Sequence, residues 1–289
     1  MGLPPTSIIV DGYFSELSNQ SNQIGWIIFI MNENDIRKAI SNLPLGGIRT
    51  FEQVGSTNDV ALAWAADGAP DLAMVYADEQ KSGRGRGNRR WFTPPGAALA
   101  FSIINRPSTA EEQSIPLFSG LGAMAVCEAL GSRGLHPEIK WPNDVLLDRQ
   151  KVCGILAEAV WTGEKVDCII LGIGVNVNPA SVPSSEQLNY PATCIETVLG
   201  KSVDRLVLLR DILQALLYWR GLLTKDVFPP AWNKYLAFRG EQVEIRSEGV
   251  PPRVGMVDGL ERDGGLRLRS LDGQLFVAQF GEMQLRPVL

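Results

Sequence analysis

Three apolar segments stand side by side near the middle of this chain, Ile139–Leu147, Val152–Trp161 and Val166–Val177, joined through the polar turns Asp148-Arg149-Gln150 and Thr162-Gly163-Glu164, each followed by a lysine. Connections that short cannot carry a crossover, so the segments are predicted to be neighbouring antiparallel strands. A sheet of this kind needs helices to cover it. Leu117–Leu130 supplies one, with an apolar stripe through Leu117, Leu121, Met124 and Ala125 and a stop at Gly131. Val203–Leu223 supplies a longer amphipathic one, capped by Ser202 and stopped near Gly221, and Ala231–Phe238 a shorter one. Asp71–Asp78 and Ala97–Ile104 read as further strands, and Ala61–Ala66 as a helix behind the cap-like cluster Ser56-Thr57-Asn58. The fold class expected is α+β, with a mixed or antiparallel sheet packed against helices.

The texture changes after Arg239-Gly240. Short alternating stretches, Gln242–Arg246, Arg253–Leu260, Leu266–Leu271, Leu275–Phe280 and Glu282–Pro287, are divided by turns at residues 249–252, Asp263-Gly264-Gly265 and Asp272-Gly273. Five short strands in so few residues are expected to close into a small β-barrel. The expected division is therefore residues 1–40, a poorly ordered extension, then 41–238, the main domain, then 239–289, the barrel. Within the extension, Asp35–Leu43 has a helical pattern following Met31.

Composition excludes several classes. The chain has 289 residues, 45% hydrophobic and 20% charged, and its longest apolar runs fall short of the roughly 20 residues that span a bilayer. No membrane role is expected. With 27 basic and 32 acidic residues the formal net charge is -5, which argues against general attraction to DNA. The segment before Arg37 and Lys38 lacks the basic residues of a helix-turn-helix. Residues 1–30 contain no Lys or Arg, unlike secretory or transit peptides, and a cytoplasmic location is expected. Cys127, Cys153, Cys168 and Cys194 form no CxxC pair and His136 is the single histidine, so spacing assembles no zinc site and no Cys/His catalytic pair. The cysteines are expected to be reduced, small apolar residues.

The sharpest local feature is residues 81–90, KSGRGRGNRR, with five positive charges and no negative one. Glycines let the backbone approach a ligand and aim successive N–H groups at it, while guanidiniums clamp phosphate or carboxylate. An anion-cradling loop is the favoured reading over a solvated basic loop or an RNA-binding Arg/Gly segment. Neither Gly83-Arg84-Gly85 nor Gly172-Ile173-Gly174 completes a GxGxxG fingerprint, and GxxxxGK[ST] is absent. Lys140-Trp141-Pro142-Asn143-Asp144 breaks an apolar strand, because proline removes a ladder donor. Lys151 opens the strand that follows; it is either an exposed hairpin lysine or an electrostatic clamp on developing negative charge. Asn176 and Asn178 are amides at a strand end, suited to a turn or to a ligand.

Taken together, Gly55-Ser56-Thr57-Asn58, Gln80 with the GRGRGNRRW loop ending at Trp91, KWPND at 140–144 with KVCGILAE at 151–158, and LGIGVNVN at 171–178 resemble the biotin protein ligases. The motifs occur in that family's order, and the resemblance covers about residues 45–289. One departure is Asn88, where the common GRGRxGRxW pattern has glycine. The resemblance implies a class II synthetase-like catalytic domain at 41–238 and an SH3-like barrel at 239–289. It implies a ligase that makes biotinyl-5'-AMP from biotin and ATP with Mg2+, then transfers biotin to a lysine of a biotin carboxyl carrier domain. A second departure is the lack of a DNA-binding domain, so no DNA-binding role is expected, and the expected state is a monomer or homodimer.

The same resemblance assigns site residues. Biotin would be bound by Ser56, Thr57, Asn58, Gln80, Gly83, Arg84, Gly85, Arg86, Lys151, Gly154, Gly172 and Gly174, the last three leaving room for the ring and chain. ATP would be bound by Arg84, Arg86, Arg89, Trp91, Lys140, Asn143 and Asn176. Lys151, Arg86 and Asp144 would be catalytic, with Mg2+ held through the phosphates and Asp144 a possible ligand. The alternatives are a lipoate or octanoate ligase or transferase and, more remotely, a nucleic-acid-binding module.

Overall fold

The computed structural model describes residues 31–87, 89–247, 250–279 and 283–287. Asn88 lies outside them, as do residues 1–30. A first helix, α1 (Glu33–Ala39), is capped by the Asn32 side chain and buries Ile36. Residues 31–40 therefore differ from the expected loose extension: Ile36 and Ile40, one turn apart, sink into the core.

The main sheet has seven strands, β1 (Gly47–Val54), β2 (Ala73–Gln80), β3 (Ala98–Asn105), β4 (Glu138–Lys140), β5 (Asp144–Leu147), β6 (Gln150–Thr162) and β7 (Lys165–Asn176), in the order β1-β2-β3-β7-β6-β5-β4. The short-turn pairings expected from sequence are present, since β5–β6 and β6–β7 are antiparallel. Asp148 and Arg149 take positive φ in the first of these turns, and Gly163 does so in the second. Among the described strands of this sheet, β1 and β2 alone pair in parallel, so their link must cross over, and α2 (Thr57–Ala66) is that crossover. The segment read as one strand from Ile139 to Leu147 is instead β4 and β5, paired antiparallel across a turn at Trp141–Asn143. Pro142, which cannot donate to a ladder, sits in that turn.

Strand alternation divides the core. Ile170 and Cys168 point to the face covered by α2, with Ala61, Ala65, Val75 and Ile104. Leu171, Ile173 and Val175 point to the other face, toward α3 (Phe118–Gly131) and α5 (Arg205–Arg220). The stretch Thr109–Gly131 is long and apolar enough to cross a membrane, but 72% of that window is buried inside the structure. α5 is capped by Asp204 rather than Ser202: its carboxylate accepts from Leu206 N and Val207 N at 2.8 and 3.2 Å. A short helix, α4 (Ile195–Leu199), precedes α5, and α6 (Phe228–Lys234) follows it. The four cysteines are buried and free.

Gly120 of α3 lies against the Trp232 indole, and a Cβ there would stand 2.5–2.7 Å from three ring carbons. Gly120→Ala is expected to cost about 1–3 kcal/mol through overpacking, read as a lowered urea midpoint. An unchanged midpoint would contradict this packing.

The last strands, β8 (Gln242–Ser247), β9 (Val250–Leu260), β10 (Leu266–Arg269), β11 (Leu275–Ala278) and β12 (Met283–Pro287), form an antiparallel sheet in the order β11-β10-β9-β8-β12. Val243, Val257, Leu266 and Leu268 share one continuous core with Trp232 and Phe228. Polar ties reinforce that contact. Trp141 Nε1 donates to Gly264 O at 3.0 Å, and Leu260 N donates to Asn233 Oδ1 at 3.1 Å.

Candidate active site

The motifs singled out in the sequence converge on one end of the main sheet. Val54 pairs with Gln80, Ala98 with Asn176, Cys153 with Val175 and Lys140 with Asp144. Asp144, Gly154, Gly174 and Ala100 form one row across four strands. Paired residues share a face, and this row lies on the α2 face beyond the end of that helix. It is a shallow floor of small residues.

The Trp91 ring lies over that floor. A Cβ on Gly174 would meet Trp91 Nε1 at 2.3 Å, and one on Gly154 would meet the same ring and Lys151 Nζ at 3.1 Å. Gly172 leaves room for Asn58, whose Oδ1 would stand 2.2 Å from an added Cβ. In this structure the space beside these glycines holds Trp91 and Asn58. Trp91, assigned above to ATP, stands with the residues assigned to biotin. Its Nε1 is buried with no hydrogen-bond partner.

Beside the floor is a hydrogen-bonded shelf. Thr57 N donates to Gln80 Oε1 at 2.8 Å, and Gln80 Nε2 donates to Thr93 Oγ1 at 3.1 Å. The Ser102 hydroxyl donates to Asn58 Oδ1 at 2.6 Å and lies 2.8 Å from Thr57 Oγ1. Ser56, Thr57 and Asn58 are all buried. Sequence reasoning missed Ser102, although a lone hydroxyl inside the apolar run of β3 was a legible signal.

The basic loop returns on itself as a narrow hairpin. Gly85 N donates to Arg89 O at 2.7 Å, Trp91 N to Gly83 O at 2.8 Å, and Arg84 bridges to Arg90. Its arginines do different things. Arg84 makes a two-pronged pair with Glu158, both contacts at 2.7 Å, and reaches Asp59 at 2.8 Å. Arg86 points the other way and donates to Asn143 Oδ1 at 3.2 Å. Arg89 Nε donates to Arg86 O at 2.8 Å. Arg84, expected on both ligands, is thus engaged by carboxylates, whereas Arg86 faces the KWPND turn.

That turn carries the electrostatic centre. Asp144 accepts from Lys151 through one oxygen at 2.6 Å and from Lys140 through the other at 3.2 Å. Burial alone would raise the Asp144 carboxyl, but the charges of Lys151 and Lys140 outweigh it and hold the group well below the usual carboxylate range. Burial lowers the Lys140 ammonium, and Asp144 only partly offsets this. Two ammoniums on one buried carboxylate leave the cluster net positive. Lys140 also lies 4.5 Å from the centroid of the Tyr190 ring, and Arg286 of β12 approaches the same ring at 5.7 Å. Burial, then the charge of Arg89, lowers the Arg286 guanidinium. Tyr190 and Arg286 were not legible in sequence, since neither belongs to a local motif. Asn176 is buried and donates to Thr193 O at 3.0 Å.

Both Asp144 oxygens are occupied by lysines, and among the described residues no group of three or more His, Cys, Asp or Glu could hold a metal ion. Asp144 thus faces two ammonium groups in this structure.

Residues 50–176 match the Biotin/lipoate A/B protein ligase family. A bifunctional ligase/repressor BirA from Bacillus spizizenii is 30% identical over 248 residues, covering 84% of this chain and 76% of that protein. A biotin--[acetyl-CoA-carboxylase] ligase from Paracoccus denitrificans is 35% identical, covering 76% of this chain and 92% of that one. Among solved structures, a biotin protein ligase from Aquifex aeolicus in complex with biotin and ATP superposes with a TM-score of 0.71 at 27% identity, covering 84% of this chain and 99% of that chain. Within the wider class, the chain belongs to the biotin protein ligase family.

Proposed function

We propose that this protein joins biotin to a lysine of a biotin carboxyl carrier domain, using ATP. The observation that carries the reading is the net positive Lys140–Asp144–Lys151 cluster beside a glycine floor and a polar shelf. A carboxylate and a polyphosphate repel one another, and fixed positive charge beside an apolar slot is what brings them together. Residues 41–238 form the catalytic unit in this reading, and 239–289 the small barrel.

In the first step an oxygen of the biotin carboxylate attacks the α-phosphorus of ATP. An acyl–O–P bond forms, the bond to the bridging oxygen breaks, and pyrophosphate leaves with its electron pair. Lys151 lies between the carboxylate and the α-phosphate oxygens, with Arg86 beside it. Asp144 positions Lys151 and Lys140 rather than reacting itself. Ser56, Thr57, Asn58 and Gln80 hold the ureido ring, Gly83 and Gly85 let the loop backbone come close to the carboxylate, and Gly154 and Gly174 let the Trp91 ring lie low as a wall of the slot while Gly172 seats Asn58. Arg89, Lys140, Asn143 and Asn176 lie on the ATP side; Mg2+ would arrive with the phosphates and supply charge neutralisation. In the second step the acceptor amine attacks the acyl carbon, AMP leaves, and the amine loses one proton as the amide forms.

The test is exchange of labelled pyrophosphate into ATP with biotin, lipoate or octanoate as the acid. Biotin-dependent exchange is expected, with little from the other two. Exchange with lipoate or octanoate alone would assign the acid to the sister class, and no exchange would overturn adenylation.

A further inference from the structure

Glu158 lies at the end of KVCGILAE, and the chemistry above gives it no task. It projects from β6 on the same face as Gly154, because the two are separated by an even number of residues. There it joins two parts of the site. Its Oε2 accepts from Asn58 Nδ2 at 2.6 Å, on the shelf, and both its oxygens accept from Arg84, at the root of the loop. The connection continues through Asn58 to Ser102, and Ser102 stands next to Thr57. One carboxylate therefore closes a continuous polar path from the shelf to the hairpin.

We infer that Glu158 is a positioning residue that fixes the biotin shelf and the root of the basic loop relative to one another, acting through Asn58 and Arg84 and not through ATP. The inference rests on the ligase reading for its substrate, whereas its geometry does not. The loop is anchored at Arg84, while Arg86 and Arg89 beyond it hold other partners. Asp59 is the lesser anchor: it is more than half exposed and meets Arg84 through a single contact. Glu158 is mostly shielded and makes the two-pronged bond.

Glu158→Gln keeps the shape but removes the charge and one acceptor. Loss of a charge-assisted bond predicts roughly a 10-fold rise in the KM for biotin. The KM for ATP and kcat in pyrophosphate exchange are expected to stay within about 3-fold, and Glu158→Asp, which keeps the charge, to recover part of the loss. Asp59→Asn is expected to change the KM for biotin less than about 2-fold. The second arm is tryptic cleavage within residues 84–90 of the protein without ligands, expected to be several-fold faster in Glu158→Gln than in the wild type. A wild-type KM for biotin in Glu158→Gln, or an equal rise for biotin and ATP, would overturn the inference. If the wild type shows no biotin-dependent exchange, the ligase reading fails. The cleavage arm still decides the clamp, which faster cleavage supports and unchanged cleavage overturns.

Discussion

Lys151→Ala is expected to lower biotin-dependent pyrophosphate exchange by 100-fold or more, with the protein still folded. Removing one donor aimed at developing charge costs about 2.7–4 kcal/mol. The structure adds a reason why the loss should not be recovered by a neighbour. Lys140, the other ammonium on Asp144, is held against the Tyr190 ring on the far side of that carboxylate, and burial already disfavours its charge. Lys151 is the more open of the two and lies next to Gly154 and Trp91. Exchange within a few-fold of wild type would remove Lys151 from the chemistry.

Asp144→Asn is expected to be the most damaging change to stability at this end of the sheet. It leaves two ammoniums facing one neutral amide. Breaking a buried pair costs about 3–5 kcal/mol, and the partial exposure of Lys151 puts this case near the lower end. The pH dependence follows from the depressed pKa of Asp144. Its contribution is fully present above the unfolded carboxylate value near pH 4 and is lost as pH falls through the folded value. The difference in unfolding free energy between wild type and Asp144→Asn should thus be level from neutral pH down to about 4 and shrink below it. A difference unchanged down to pH 2 would mean that Asp144 is not held ionised by the lysines.

What was legible in the sequence was what is local. Short polar turns fixed the pairing of β5, β6 and β7, because a strand cannot change its neighbour across two residues. The apolar stripe of α3 was readable for the same reason. β1 was missed: as an edge strand it is half-exposed along most of its length and shows no clean alternation. The cap of α5 was misplaced by two residues, since Ser202 and Asp204 are both good caps and only the backbone trajectory chooses between them. At the site, the motif residues could be gathered by resemblance, but their partners could not. Nothing in the spacing says that Arg84 turns to Glu158, that Trp91 lies on Gly174, or that Arg286 comes near Arg89.

Two turns in the small sheet, Asp263-Gly264-Gly265 and Asp272-Gly273, are nearly the same word in sequence. Each has an aspartate followed by a glycine at positive φ. Their mechanical situations are opposite. The Gly264 carbonyl is held by the Trp141 indole, one residue from Lys140, and a Cβ on Gly265 would meet Val277 at 2.8 Å. At the other turn, Gly273 faces open space and Leu271 is 82% exposed. For engineering, only the second is a port. An epitope tag or a fluorescent reporter spliced at Asp272-Gly273 hangs free of the machinery. The same insert at Gly264 pulls directly on the tryptophan beside the lysine cluster.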